Sequence, residues 1–114
     1  MPGNLKIDYV EFASADIPAS TAFFADAFGW GFADYGPTYQ AFENAGIDGG
    51  LDGSGTETPG RALVILKADD LEAALAAVTA AGGEIVKPIF DFPGGRRFHF
   101  REPGGNELAV WSEN

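Results

Sequence analysis

His99 is the single histidine among 114 residues, and it stands in the run Arg96-Arg97-Phe98-His99-Phe100-Arg101. In an extended backbone alternate side chains share a face, so Arg97, His99 and Arg101 point the same way. An imidazole can give or take a proton near neutral pH, and flanking cations attract a small anion. By strand parity Glu11, Glu107 and Lys67 fall on the same side. Lys67, Arg97, His99 and Arg101 are four of the eight Lys, Arg and His side chains of the chain. Three chemistries suit this set. His99 with Glu11 as a catalytic pair would move a proton. His99, Glu11 and Glu107 would hold a cation as a facial triad. The basic side chains would instead recognise a small polar ligand. The plain alternatives are a histidine satisfied within a sheet and ordinary charge pairing with Glu11 and Glu107.

The elements that must carry these residues are legible as a pattern met twice. Residues 6–14 alternate as a strand, Asp16 stands at an N-cap position with Pro18 in the first turn, and residues 19–28 have helical apolar spacing ended by Gly29. Strands follow at 30–35 and 38–43. The stretch 44–60 holds six glycines and reads as a loop or link, with a short strand near 47–51. The order then restarts: a strand at 61–68, Asp69-Asp70 leading a helix over 71–81, closure at Gly82-Gly83, and strands at 84–92, 96–101 and 107–112. Pro88 inside the first of these predicts an edge or a bulge. A shift of 54 lays Asp16 on Asp70, Ile17 on Leu71 and Gly29 on Gly83.

Alternation sorts the strand side chains into two faces. Val10, Phe12, Ala62, Val64, Leu66, Phe98, Phe100, Leu108 and Val110 share one parity and are apolar, which predicts a main core beneath both helices. The other parity mixes Tyr9, Glu11, Leu63, Ile65, Lys67, Arg97, His99, Arg101, Glu107, Ala109 and Trp111. Apolar and polar groups collected together describe the lining of a ligand cleft, although a subunit interface has similar composition.

Composition narrows the partners. Seventeen acidic against seven basic residues leave a net charge of −10, which cannot make the broad positive footprint that nucleic acid requires and disfavours an anionic membrane. The chain has no cysteine, so disulfides, thiolate metal sites and cysteine nucleophiles are excluded. No apolar run approaches a membrane span, and the first residues lack a signal-peptide pattern. A cytoplasmic location is expected. The turns at Pro93-Gly94-Gly95 and Pro103-Gly104-Gly105 open no helix, so neither reads as a phosphate loop.

Tyr9-Val10-Glu11-Phe12, Ala22-Phe23-Phe24, Phe28-Gly29-Trp30 and Asp69-Asp70-Leu71-Glu72-Ala73-Ala74 together resemble the vicinal oxygen chelate superfamily. Pro93-Gly94-Gly95-Arg96-Arg97-Phe98 and the closing Arg101–Ser112 stretch share that likeness, near its uncharacterised glyoxalase-like branch. The superfamily includes glyoxalase I, bleomycin-resistance proteins and extradiol dioxygenases. The resemblance implies an α+β fold of paired βαβββ modules, a curled mixed sheet around a cleft with two helices outside, and a homodimer. It implies one domain over 1–114: module one about 5–52, a glycine-rich link about 44–60, and module two about 61–113. Metal-dependent members place a histidine where Tyr9 stands, a second where Leu63 stands, and a glutamate where Ala109 stands. Their remaining ligand falls near Gly49-Gly50.

The expectation is therefore a small-molecule-binding protein of the glyoxalase and bleomycin-resistance kind, with no cofactor and without the usual divalent metal. Its ligand-binding residues are Tyr9, Glu11, Leu63, Ile65, Lys67, Arg97, His99, Arg101, Glu107 and Trp111. The alternative is an enzyme, a lyase, isomerase or dioxygenase, with a rebuilt metal site or with metal-free acid/base chemistry.

Overall fold

Each helix begins where an aspartate caps it. In this computed structural model the helix α1 (Ile17–Phe28) starts with the Asp16 side chain accepting from the Ala19 N–H at 3.1 Å. Helix α2 (Leu71–Ala80) starts with Asp70 accepting from the Ala73 N–H at 3.0 Å. Such a cap satisfies a backbone donor that the first helical turn leaves open. The shift of 54 holds at both N-termini and slips by one at the other end. Gly29 takes the left-handed conformation after α1, with φ of 75°. After α2 the left-handed residue is Gly82, with φ of 98°, and not Gly83.

The structure describes residues 5–55, 62–103 and 105–114. The expected strand start at Arg61, the 56–60 part of the link and Gly104 of the last turn lie outside these residues. Two compact units divide the chain, one of residues 9–63 and one of residues 64–114 with residues 1–8.

The first unit is built on β1 (Lys6–Ala13, of which Tyr9 onward belongs here), α1, β2 (Gly31–Asp34), β3 (Tyr39–Glu43) and β4 (Asp48–Asp52). Its strand order is β2-β3-β4-β1, with β1 parallel to β4 and the other neighbours antiparallel. The second unit has β5 (Leu63–Lys67, of which Val64 onward belongs here), α2, β6 (Glu84–Phe92), β7 (Gly95–Arg101) and β8 (Glu107–Ser112). It repeats the plan as β5-β8-β7-β6, with β5 parallel to β8 and the others antiparallel. The fold is α+β, made of two βαβββ modules with mixed strand pairing. Pro88 lies on β6 at the end of its strand order, between register shifts at Ile85/Lys87 and Lys87/Phe90, so both an edge and a bulge accommodate its missing N–H.

The core expectation needs correction. Phe98 and Val110 are buried with Ala68, Leu71 and Ala74, and Phe100 packs on them, as the parity required for the second unit. Val10, Phe12, Val64, Leu66 and Leu108 are only half-buried, and Ala62 is exposed. Helix α1 buries no residue fully, and an open groove lies against Phe12, Ala13, Ser20, Phe24, Leu51 and Ala62. Stacked Phe12 and Phe24, 6.2 Å apart, hold the helix there in place of a filled core. Leu63, Ile65 and Ala109 of the other parity are buried instead.

A second correction concerns the glycines of the link. The short strand expected near 47–51 is present as β4, and Gly49 and Gly50 are packing material within it. A Cβ at Gly49 would strike the Val10 carbonyl oxygen and approach the Phe42 ring to 2.7 Å, while one at Gly50 would strike the Tyr39 hydroxyl. Backbone cannot yield to a methyl group as a long side chain can. Gly49→Ala is therefore expected to destabilise the protein by about 2–3 kcal/mol in urea unfolding. An unchanged midpoint would show that β1 and β4 are not held in this register.

Candidate functional site

Strand pairing assembles one face of the second unit. Arg97 lies opposite Trp111, His99 opposite Ala109 and Arg101 opposite Glu107 across β7 and β8. Ile65 and Lys67 of β5 continue it beside Ala109 and Trp111. The expected residues Ile65, Lys67, Arg97, His99, Arg101, Glu107 and Trp111 are thus neighbours on one surface. β6 adds Lys87 opposite His99 and Phe90 opposite Arg97, two residues that parity in isolation did not single out.

His99 is fully buried, and its Nδ1 is 3.0 Å from a Glu107 carboxylate oxygen. A carboxylate accepts, so the neutral imidazole carries its proton on Nδ1 and donates it to Glu107. Nε2 is then left as a buried acceptor with no hydrogen-bond partner among the described residues. Burial pushes the imidazole pKa down from its ordinary value; the Glu107 hydrogen bond opposes this, and the charges of Arg97 and Lys87 reinforce it. The Phe90 ring packs beside the imidazole at 5.8 Å. The same ring and Phe92 lie 5.5 Å and 5.6 Å from the Arg97 guanidinium carbon. Aromatic faces attract a cation and limit where it moves.

The rim is charge-paired. Lys67 bridges Glu113 at 3.4 Å and stands 5.0 Å from the Trp111 ring, whose Nε1–H donates to Asp8 at 2.9 Å. Arg101 bridges Glu84 at 3.0 Å. The expectation that these basic groups pair with Glu11 and Glu107 therefore holds for His99 with Glu107, while Lys67 and Arg101 pair with Glu113 and Glu84.

The remaining expected residues belong to the first unit, where Leu63 is fully buried and Glu11 is 4% exposed. The Tyr39 hydroxyl donates to Glu11 Oε2 at 3.0 Å and lies 2.6 Å from the Tyr9 hydroxyl. Burial raises both phenol pKa values, and the negative charge of Glu11 adds to it. Tyr39 was absent from the residues singled out in the sequence. The available signal was a tyrosine on β3 diagonal to a glycine on β4, where the missing side chain leaves space for the ring. Among the described residues no group of three or more His, Cys, Asp or Glu is arranged to hold a metal ion. No helix among them is long and apolar enough to cross a membrane.

The profile of the Glyoxalase/Bleomycin resistance protein/Dioxygenase superfamily matches residues 6–110. No relative is found by sequence among curated proteins. Among solved structures, one described as an NAD-dependent benzaldehyde dehydrogenase from Legionella pneumophila superposes with a TM-score of 0.76 at 15% identity, covering 91% of this chain and 96% of that one. A glyoxalase/bleomycin resistance protein/dioxygenase superfamily member from Vibrio splendidus 12B01 gives 0.71 at 18% identity, covering 96% and 99%. At such identities the likeness is one of fold. The Mn(II)-bound glyoxalase from Novosphingobium aromaticivorans gives 0.69 at 26% identity, covering 95% of this chain and 38% of that one.

The lowered His99 pKa has a consequence for stability. The unfolded chain, with an ordinary histidine near 6.5, takes up its proton before the folded one does. The stability due to neutral His99 is fully present above about pH 6.5 and is lost as the pH falls toward the folded value. An NMR titration of this single histidine is expected to give a midpoint below 6.5. A midpoint above it would mean that the Glu107 carboxylate outweighs burial.

Proposed function

Because the chain belongs to the Glyoxalase/Bleomycin resistance protein/Dioxygenase superfamily, we propose that it binds a small polar or aromatic compound without that superfamily's usual divalent metal. The observation that carries this reading is the face on β7 and β8. There Arg97 lies between aromatic rings, beside a buried imidazole whose Nε2 has no partner among the described residues. An unmet buried acceptor costs roughly 1–3 kcal/mol, and a ligand donor would recover part of that. Trp111, Phe90 and Phe92 supply apolar contact, and Arg97 and Lys87 supply positive charge.

Side-chain chemistry supports the metal-free half. Leu63 and Ala109, at two positions where the resemblance expects ligands, offer only hydrocarbon. Tyr9 engages Tyr39, and Tyr39 fills the space over Gly50. These groups do not suit a divalent cation, which takes imidazole, carboxylate or thiolate donors. The reading includes a homodimer, a form common in this superfamily, and a cytoplasmic location.

One observation favours a second reading. His99 oriented by Glu107 at 3.0 Å has the form of an acid/base pair, with Nε2 as the group that would take a proton from a substrate. That reading is a metal-free lyase or isomerase, with Glu107 rather than Glu11 as the partner of His99.

Protein purified without added metal is expected to contain none in stoichiometric amount by elemental analysis. It should gain no thermal stability from nickel, zinc, manganese or iron, whereas a tight metal would raise Tm markedly. A thermal-shift screen of small aromatic and anionic compounds is expected to yield hits that Trp111→Ala weakens about tenfold or more, the effect of losing about 1.4 kcal/mol of contact. Hits indifferent to Trp111→Ala would remove this face from the binding site.

A further inference from the structure

We propose that Tyr9 presents only a hydrogen-bond acceptor to a ligand, so that its position selects a neutral or cationic donor group, such as a phenolic hydroxyl. The proposal rests on the reading that this chain binds a small molecule, and it concerns the Tyr9 hydroxyl of the first unit alone.

Counting hydrogens fixes the direction of donation. A phenol has one, and a carboxylate has none to give. Tyr39 uses its hydrogen on Glu11 Oε2 at 3.0 Å. The 2.6 Å contact between the two hydroxyls is therefore Tyr9 donating to Tyr39. Tyr9 has then no hydrogen left, and its oxygen offers lone pairs alone. Glu11, 4% exposed, fixes this order from the buried end, and Gly50 leaves the space in which the Tyr39 ring is held. Raised phenol pKa values keep both hydroxyls protonated, so the direction of donation persists through the neutral range.

The surroundings favour the same ligand class. Asp48 lies opposite Tyr9 across β1 and β4, and Glu11 stands two residues along β1. Their negative charges and the Tyr35 phenol all bear on the Tyr9 hydroxyl. A carboxylate or phosphate brought to this oxygen would meet both lone-pair and charge repulsion. Tyr9 is only partly buried.

The test compares phenol, a donor, with acetophenone, which only accepts, by ligand-observed NMR on the full chain. Wild type is expected to bind phenol about tenfold more tightly than acetophenone, the effect of one hydrogen bond made against one refused. Tyr39→Phe keeps the ring and removes the acceptor that occupies the Tyr9 hydrogen. Tyr9 then can donate, acetophenone gains about tenfold, and the preference collapses toward unity. Tyr9→Phe is expected to flatten the preference by weakening phenol. The same two probes are compared in every variant, so their differing size and hydrophobicity cancel. Equal binding of both probes to wild type, or a preference that survives Tyr39→Phe, overturns the acceptor assignment alone. Failure of either probe to bind any form of the chain overturns both that assignment and the small-molecule reading at Tyr9.

Discussion

The parallel pairing of β1 with β4 brings two backbones so close at Gly49 that no side chain fits there. At Gly49 a Cβ would enter the Val10 carbonyl oxygen, and at Gly50 the Tyr39 hydroxyl. Glycine is the only residue that meets both conditions, and its conformational freedom in the unfolded state makes it an expensive choice for a strand. With glycine at both positions, β4 closes against β1 in a register that sets Gly50 opposite Glu11. Tyr39 leans from β3 into the space, and Glu11 receives a phenol in place of water. The polarity of the first module's buried face is thus a consequence of two absent side chains.

The second module meets the same topology with different filling. Ala109 occupies the middle of β8 beside Ile65 and opposite the buried His99, whose imidazole is hydrogen-bonded to Glu107. One module holds a carboxylate in phenols, and the other holds an imidazole on a carboxylate. Both are buried polar groups in hydrogen-bonded order, and such groups are kept only where their partners are well placed. The strand order repeats, but the buried polar groups stand at different positions of it: Glu11 matches Ile65, and His99 matches Ala41.

What the sequence made legible was local. The caps at Asp16 and Asp70 are decided by a side chain and an N–H three residues on, so reading them needs no tertiary knowledge. The grouping of Arg97, His99, Arg101, Glu107 and Trp111 followed from strand period alone. The pairing of His99 with Glu107 was available as a choice but not decided, because parity names a face and not a contact. Tyr39 escaped because its role depends on a glycine eleven positions away whose significance is the absence of atoms. The short strand expected near 47–51 is β4, but the packing role of its glycines was not legible, since glycine-rich stretches usually serve as loops. Leu63, Ile65 and Ala109 stood in the mixed set and are buried, since alternation sorts sides without saying which side is covered.

The ends of the strand orders carry a further meaning. β2 is four residues long, and β6 is broken by two register shifts around an exposed proline. A short strand and a kinked one are poor templates for another chain's backbone, which needs an unbroken row of N–H and C=O groups to add to. These edges guard against runaway strand addition into fibres. At β2 and β6 another chain finds little unbroken backbone to extend.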